Sequence, residues 1–294
     1  MAMMQAEIRT TGPAVQDVQI KALGAVLSGR LYLPDGPPKV AVVLHGAAGV
    51  PMQFYRGFAE WLSGQGFACL LYDYRDFGQS GHGSQHKPLR QSRATLADWG
   101  TRDQPAALAR LCQLVPKVPV WVIGHSLGGA MLGFHGPMNR VERIITVGSG
   151  MTHLSDHPWP YRGLAALFWY GHAPVVTALL GWLPGRQIGF GSDLPAGVYW
   201  QWRRWCTRAG FYLSDVGRTL PLPNPTTVTA PMTMIAISDD QLVPPGAVWR
   251  LMATYPMAFK KQRVLRPADF GLRKIGHLGV FARANAAVWP AIVA

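Results

Sequence analysis

The stretch Val118 to Met131, VPVWVIGHSLGGAM, limits what this chain can fold into more than any other. Its apolar run (Val118, Val120, Trp121, Val122, Ile123) suits a strand buried on both faces of a parallel sheet. The run ends in Gly124-His125-Ser126-Leu127-Gly128-Gly129 and passes into a helix-compatible segment. A strand, then G-x-S-x-G, then a helix is the pattern of a nucleophile elbow. The serine occupies a strained turn, and the flanking glycines remove Cβ atoms that would collide there. Its hydroxyl then stands clear of the sheet, with the Leu127 N–H facing the place where an oxyanion would form. The bland alternative is a glycine-rich turn with an incidental serine, so the rest of the chain must decide.

The 294 residues suit one α/β domain with an insertion: a mostly parallel central sheet flanked by helices. With charged residues at 15%, the chain is not of the disordered class. Cys69, Cys112 and Cys206 are too scattered for a disulfide framework or a zinc site, which points to a reducing compartment. The first twelve residues, MAMMQAEIRTTG, lack the pattern of a signal peptide, and the expected location is cytoplasmic. The net charge of +13 is spread over the chain, with small groups at Arg203-Arg204, Lys260-Lys261-Gln262-Arg263 and Arg273-Lys274. No nucleic-acid motif accompanies it, so nucleic acid is not an expected partner, whereas an anionic substrate or membrane surface stays a candidate.

Residues 15 to 34 read as an edge hairpin around Gly24, and Val40 to Leu44 as the first buried strand. The loop His45-Gly46-Ala47-Ala48-Gly49 has the small residues that a second oxyanion donor needs, and position favours the Ala47 N–H. A helix over Phe54 to Leu62, a strand over Phe67 to Tyr72 and a helical stretch from Thr95 to Val115 follow, then the elbow and a strand at Arg143 to Val147. His82 and His86 are four apart, but in a glycine-rich loop without further metal ligands.

The rhythm breaks after Gly150. Three segments are expected: a first core part at 1–150, an aromatic-rich helical insertion at 151–229 and a second core part at 230–294. The insertion reads as a cap over an apolar cleft, although most of its aromatics individually would serve to pack it onto the core. Leu164 to Leu183 lacks Lys, Arg, Asp and Glu and reads as two helices joined near Gly171 to Pro174, not a membrane crossing. His153, Asp156 and His157 read as a polar loop in preference to a metal site. Beyond the insertion, the strand Met232 to Ile237 ends in Ser238-Asp239-Asp240, and both acids are placed to orient an imidazole. A strand-like run at Lys261 to Arg266 and a final helix close the chain, with His277 between them in Ile275-Gly276-His277-Leu278-Gly279. Of nine histidines, His277 alone follows both the serine and the acid.

Oxyanion loop, elbow, acid after a strand and late histidine agree in order. On HGAAG, DYRDFGQS, GHSLGG, SDDQLVPP and IGHLGVF the chain resembles the α/β-hydrolase superfamily over nearly its whole length. DLPAG, RRWC and IGHLGVF are similar to a group of bacterial proteins known only as predicted α/β hydrolases. The resemblance implies the α/β-hydrolase fold with a helical cap, and favours Asp240 over Asp239 because Pro244 stands four residues beyond it. Asp76 departs from the usual glycine, in a turn away from the chemistry. The implied catalytic residues are Ser126, Asp240 and His277, with Ala47 and Leu127 as oxyanion donors and neither cofactor nor metal. The expected activity is serine hydrolysis of an apolar carboxylic ester or thioester through an acyl-enzyme, as in a carboxylesterase or lipase. An acyltransferase or thioesterase using the same residues, or a non-catalytic binding module, are the alternatives, and peptide hydrolysis at a free N-terminus would want a more acidic cap. A membrane-surface contact through the cap is a further candidate; the choice of ester resides in cap shape, and no motif sets an oligomeric state.

Overall fold

The computed structural model describes residues 14–81, 88–136, 138–188, 191–224 and 228–294. The amino-terminal twelve residues and the His82/His86 loop, on which two of the expectations rest, lie outside the described residues. The hairpin is β1 (Ala14–Ala22) and β2 (Ala25–Leu33), turning at Gly24 with φ 78°. The other core strands are β3 (Val40–His45), β4 (Phe67–Tyr72), β5 (Val120–His125), β6 (Val141–Val147), β9 (Met232–Ile237) and β10 (Lys260–Leu265). Between β6 and β9 lie two short paired strands, β7 (Trp182–Leu183) and β8 (Leu194–Pro195). The eight core strands run β1-β2-β4-β3-β5-β6-β9-β10, parallel from β4 to β10, with β2 antiparallel to β4.

Strands β3, β4 and β9 are buried at every residue because helices cover both sheet faces. Side-chain alternation divides each strand between two cores. Ala41, Val43, Leu70, Val122 and Met234 join the core that also holds Leu108, Leu111 and Val248. Val42, Leu44, Leu71, Ile123 and Ile235 join Phe58, Leu62 and Trp289 on the other face. The helix following β3 is Arg56–Gly64, entered through a 3-10 turn at Met52–Tyr55. The helical stretch expected before β5 runs as a short helix (Leu96–Asp98), a π-helical turn (Trp99–Asp103) and the helix Gln104–Leu114, whose Pro105 sits in the first turn, where no amide donor is missed.

Of the expectations about these helices one is met and one is corrected. Tyr161 to Leu180 is two helices that meet at a kink at Gly171 (φ −95°, ψ −110°), where glycine tolerates a conformation the helix excludes. It has the length and apolar composition of a membrane span, but β6 and β9 on either side of it are neighbours in one sheet. The final helix is broken into turns at Gly276–Gly279 and Arg283–Val288 before the short helix Trp289–Val293. Asp76 has φ 55°, which explains why glycine suits that position; its carboxylate accepts from the Ser92 hydroxyl (2.6 Å). Between β6 and β9, Trp169, Tyr199, Trp205, Phe211 and Tyr212 are buried and Tyr161, Phe168, Trp200 and Trp202 pack against the core, whereas Trp159 and Tyr170 are exposed.

The interior holds His45, His125 and His135, all pushed below the ordinary histidine range by burial, His135 to about 3. The unfolded chain takes up a proton at each below about pH 6.5, and the fold does not. Asp73 and Asp103 act in the opposite sense, because burial raises both to about 6 and the fold holds their protons where the unfolded chain has lost them. His157, also lowered by burial, acts with the other three, so four protons oppose two, and the histidine effect begins at higher pH. Stability should therefore fall as pH drops from about 7 to 5, read as a lower urea midpoint; an unchanged midpoint would contradict neutral buried histidines.

Candidate active site

Ser126 stands between β5 and the helical turn Leu127–Ala130 with φ 54° and ψ −117°, the strained geometry expected of the elbow. Its amide donates to Val147 O on β6 (3.0 Å), which fixes the turn to the sheet. The flanking glycines are sterically required: a Cβ on Gly124 would lie 2.5 Å from Gly129 backbone, and one on Gly128 would lie 2.0 Å from His45 O. The elbow thus sits directly against the loop that leaves β3. The Leu127 amide, first of its turn, has no hydrogen-bond partner among the described residues. It is an unengaged donor beside the serine.

The two acids after β9 divide their work. Asp240 Oδ2 lies 2.6 Å from His277 Nδ1, and its Oδ1 accepts the amides of Leu242 (2.8 Å) and Val243 (2.9 Å). A carboxylate acceptor at Nδ1 places that ring's hydrogen there and leaves Nε2 as the basic nitrogen. Asp239 receives Ile275 N (2.9 Å) and Gly276 N (3.0 Å), so it anchors the loop that carries His277. Gly148 makes room for the pair, since a Cβ there would lie 3.2 Å from His277 Nδ1 and 3.3 Å from Asp240 Oδ2. Neither the anchoring by Asp239 nor the clearance at Gly148 has a local sequence signature.

One expected donor is differently engaged. The Ala47 amide donates to Tyr55 Oη (2.8 Å), and an N–H carries a single hydrogen. The next amide, Ala48, sits in the turn closed by Val50 N to Ala47 O (3.3 Å) and has no partner among the described residues. Tyr55 Oη also lies 2.7 Å from His125 Nδ1. His125 therefore makes defined polar contacts, and Tyr55 is a residue of the site that nothing in its own segment announces.

The segment between β6 and β9 reaches the site near its start. His157 Nδ1 lies 2.9 Å from Gln241 O, beside the Asp240 loop. The Tyr161 hydroxyl is pushed up to about 12 by burial and, secondarily, by the Asp240 charge. His153 pairs with Ser155, and Asp156 with Arg250, so the three candidate ligands at 153–157 turn to separate partners. No group of three or more metal-ligating side chains occurs among the described residues.

Asp239→Ala should lower stability by about 2 kcal/mol, because two amide bonds to a charged acceptor are lost. Proteolysis should localise the loosening to residues 272–279; a thermal midpoint equal to wild type would refute the anchoring role.

A family model described as alpha/beta hydrolase fold matches residues 40–171. A quorum-quenching protein, AidA, of Acinetobacter baumannii is 31% identical over 133 residues, which are 44% of this chain and 42% of that protein. The chain thus spans less than half the length of that relative. Among solved structures, DcsB in complex with its substrate analogue gives a TM-score of 0.61 at 17% identity, covering 95% of this chain and 97% of that one. A thermophilic esterase from Thermogutta terrifontis gives 0.55 at 15% identity, with coverage of 95% and 97%. The sheet order, the strained Ser126 turn and the match over residues 40–171 together give the chain the α/β-hydrolase fold.

Proposed function

We propose that the chain is a cytoplasmic serine hydrolase that cleaves a carboxylic ester of an apolar acyl substrate through an acyl-enzyme on Ser126. The observation that carries this reading is the Asp240–His277 pair of 2.6 Å, in the chain order that follows a strained serine elbow. The three cysteines are unpaired thiols, in keeping with a reducing compartment. In this reading Ser126 Oγ attacks the acyl carbonyl as His277 Nε2 takes its proton, and Asp240 steadies the imidazolium. The Leu127 amide stabilises the tetrahedral oxyanion, joined by the Ala48 amide because Ala47 is engaged by Tyr55. Collapse releases the alcohol, which leaves with the proton from His277, and water repeats the sequence in reverse to free the acid. The insertion at 151–229 acts as a cap, resting on the acid loop through His157 and Gln241.

Hydrolysis of p-nitrophenyl esters from acetyl to dodecanoyl tests this. Ser126→Ala should abolish turnover, and Asp240→Asn should lower kcat by roughly 10³–10⁴-fold while the protein stays folded. Folded wild type without Ser126-dependent turnover would remove the ester hydrolase. The net charge of +13 favours a second reading, an acyltransferase or thioesterase acting on an anionic CoA-like ester. An added alcohol or thiol acceptor would then divert the acyl group from water.

The same cap is proposed to touch an anionic membrane surface. Leu164, Leu167, Val175 and Leu179 are exposed on the run Tyr161–Leu180. The insertion carries six arginines and no lysine against three aspartates. Each of those aspartates is already paired, Asp156 with Arg250, Asp193 with Arg186 and Asp215 with Arg204. An apolar face with surplus positive charge suits anionic lipid. Wild type should co-sediment with phosphatidylglycerol vesicles and not with phosphatidylcholine alone, and Leu167→Asp with Leu179→Asp should prevent it; wild type left in the supernatant with both would end the idea.

A further inference from the structure

Two loops reach the candidate site from opposite ends of the sequence, and one buried set of hydrogen bonds joins them. Ala47 N donates to Tyr55 Oη (2.8 Å), Tyr55 Oη lies 2.7 Å from His125 Nδ1, and His125 Nε2 lies 3.1 Å from the carbonyl oxygen of His277. Elementary chemistry assigns every proton. A carbonyl oxygen only accepts, so Nε2 carries the ring hydrogen. Burial keeps His125 neutral, which leaves a lone pair on Nδ1 and requires Tyr55 to donate to it. The Tyr55 oxygen is then free to accept from Ala47. All three bonds point one way, from the loop after β3 to the backbone of His277.

The surroundings admit no alternative partner. Tyr55 is 1% exposed and His125 is fully buried. Phe281 meets both rings edge-on, with centroids 5.3 Å from Tyr55 and 4.9 Å from His125. The His125 ring also lies 4.9 Å from the His277 ring, so it supports that imidazole by contact as well as through the carbonyl. A buried hydrogen bond of this kind has nothing to exchange with when it breaks, which makes each link costly to lose.

We propose that Tyr55 and His125 are positioning residues that hold the oxyanion loop and the His277 loop in register with each other. The proposal rests on the acyl-enzyme reading above. Neither side chain is placed to touch substrate; they act through the backbone of Ala47 and Ala48 on one side and, on the other, through the His277 carbonyl and the contact of the His125 ring with the His277 ring. Since the three bonds are in series, loss of any one uncouples both loops, and a second loss adds little.

Tyr55→Phe removes the hydroxyl and keeps the ring packing on Phe281. His125→Asn keeps an acceptor near the Nδ1 position and removes the donor to His277. Each single variant should lower kcat for the best ester by about 10- to 100-fold with KM within about twofold, the size expected of small misplacements. The double variant should be no slower than the worse single one. Losses that multiply, or that follow the unfolded fraction in urea, would overturn the coupling, as would full kcat in Tyr55→Phe. Backbone amide exchange supplies a readout independent of turnover. Tyr55→Phe should speed exchange at Ala47 and also at residues 275–278, and acceleration confined to Ala47 would overturn the proposal. Wild type without Ser126-dependent turnover would instead remove the acyl-enzyme reading, leaving the exchange result to decide whether the loops are coupled.

Discussion

The approach of Gly128 to the carbonyl of His45 is the contact on which the arrangement depends. A side chain at position 128 would have to occupy space 2.0 Å from that oxygen, so only glycine lets the serine turn close onto the end of β3. Closing there brings the unengaged Leu127 amide and the loop after β3 to the same side of Ser126. It also sets the strain at Ser126, whose left-handed backbone persists because the sheet below and the Val147 carbonyl beside it allow no relaxation. The buried strands β3 and β5 are therefore more than a scaffold. Their paired ends, His45 against Gly124, fix the separation of the two loops.

A second constraint acts from β9. Asp239 and Asp240 sit in the turn that leaves β9, closed by Asp240 N to Ile237 O (3.1 Å), and the turn aims their carboxylates at different partners. One reaches the imidazole and the other reaches the backbone that carries it, and both report to residues 275–277. The histidine loop is thus gripped by its carbonyl, by two amides and by its ring. A single short helical turn, Gly276–Gly279, needs such a hold if its His277 side chain is to keep a hydrogen bond of 2.6 Å.

Much of this is written locally in the sequence. Strands buried on both faces leave unbroken apolar runs, and Phe67–Tyr72 and Met232–Ile237 match the observed β4 and β9 residue for residue. The Ser126 turn is legible because its glycines answer a local steric demand. Other features depend on contacts distant in sequence. Tyr55 meets His125 seventy residues away, so nothing near Tyr55 distinguishes it from an aromatic in the core. The same holds for the engagement of Ala47, which position alone would assign to an oxyanion, and for Gly148, whose role appears only beside His277. The kink at Gly171 was legible for a local reason, because Gly171 and Pro174 interrupt an otherwise uniform apolar stretch.

The interior histidines show how a core can carry polar groups. Burial penalises each unpaired nitrogen by about 1–3 kcal/mol, so a fully paired histidine is tolerated where a half-paired one is not neutral. His125 is paired at both nitrogens, to Tyr55 and to the His277 carbonyl. His45 is paired through Nδ1 to the Tyr72 hydroxyl (2.7 Å), while its Nε2 finds no partner among the described residues. Of His45 and His125, the ring that adjoins Ser126 in the chain is the one whose bonds are complete. Completeness matters most there, because a neutral His125 tilted against His277, with ring centroids 4.9 Å apart, can lie beside an imidazolium without repelling it, whereas a protonated one could not. Burial thus serves two ends at His125: it keeps the ring uncharged, and it leaves the hydrogen bonds no solvent in which to exchange.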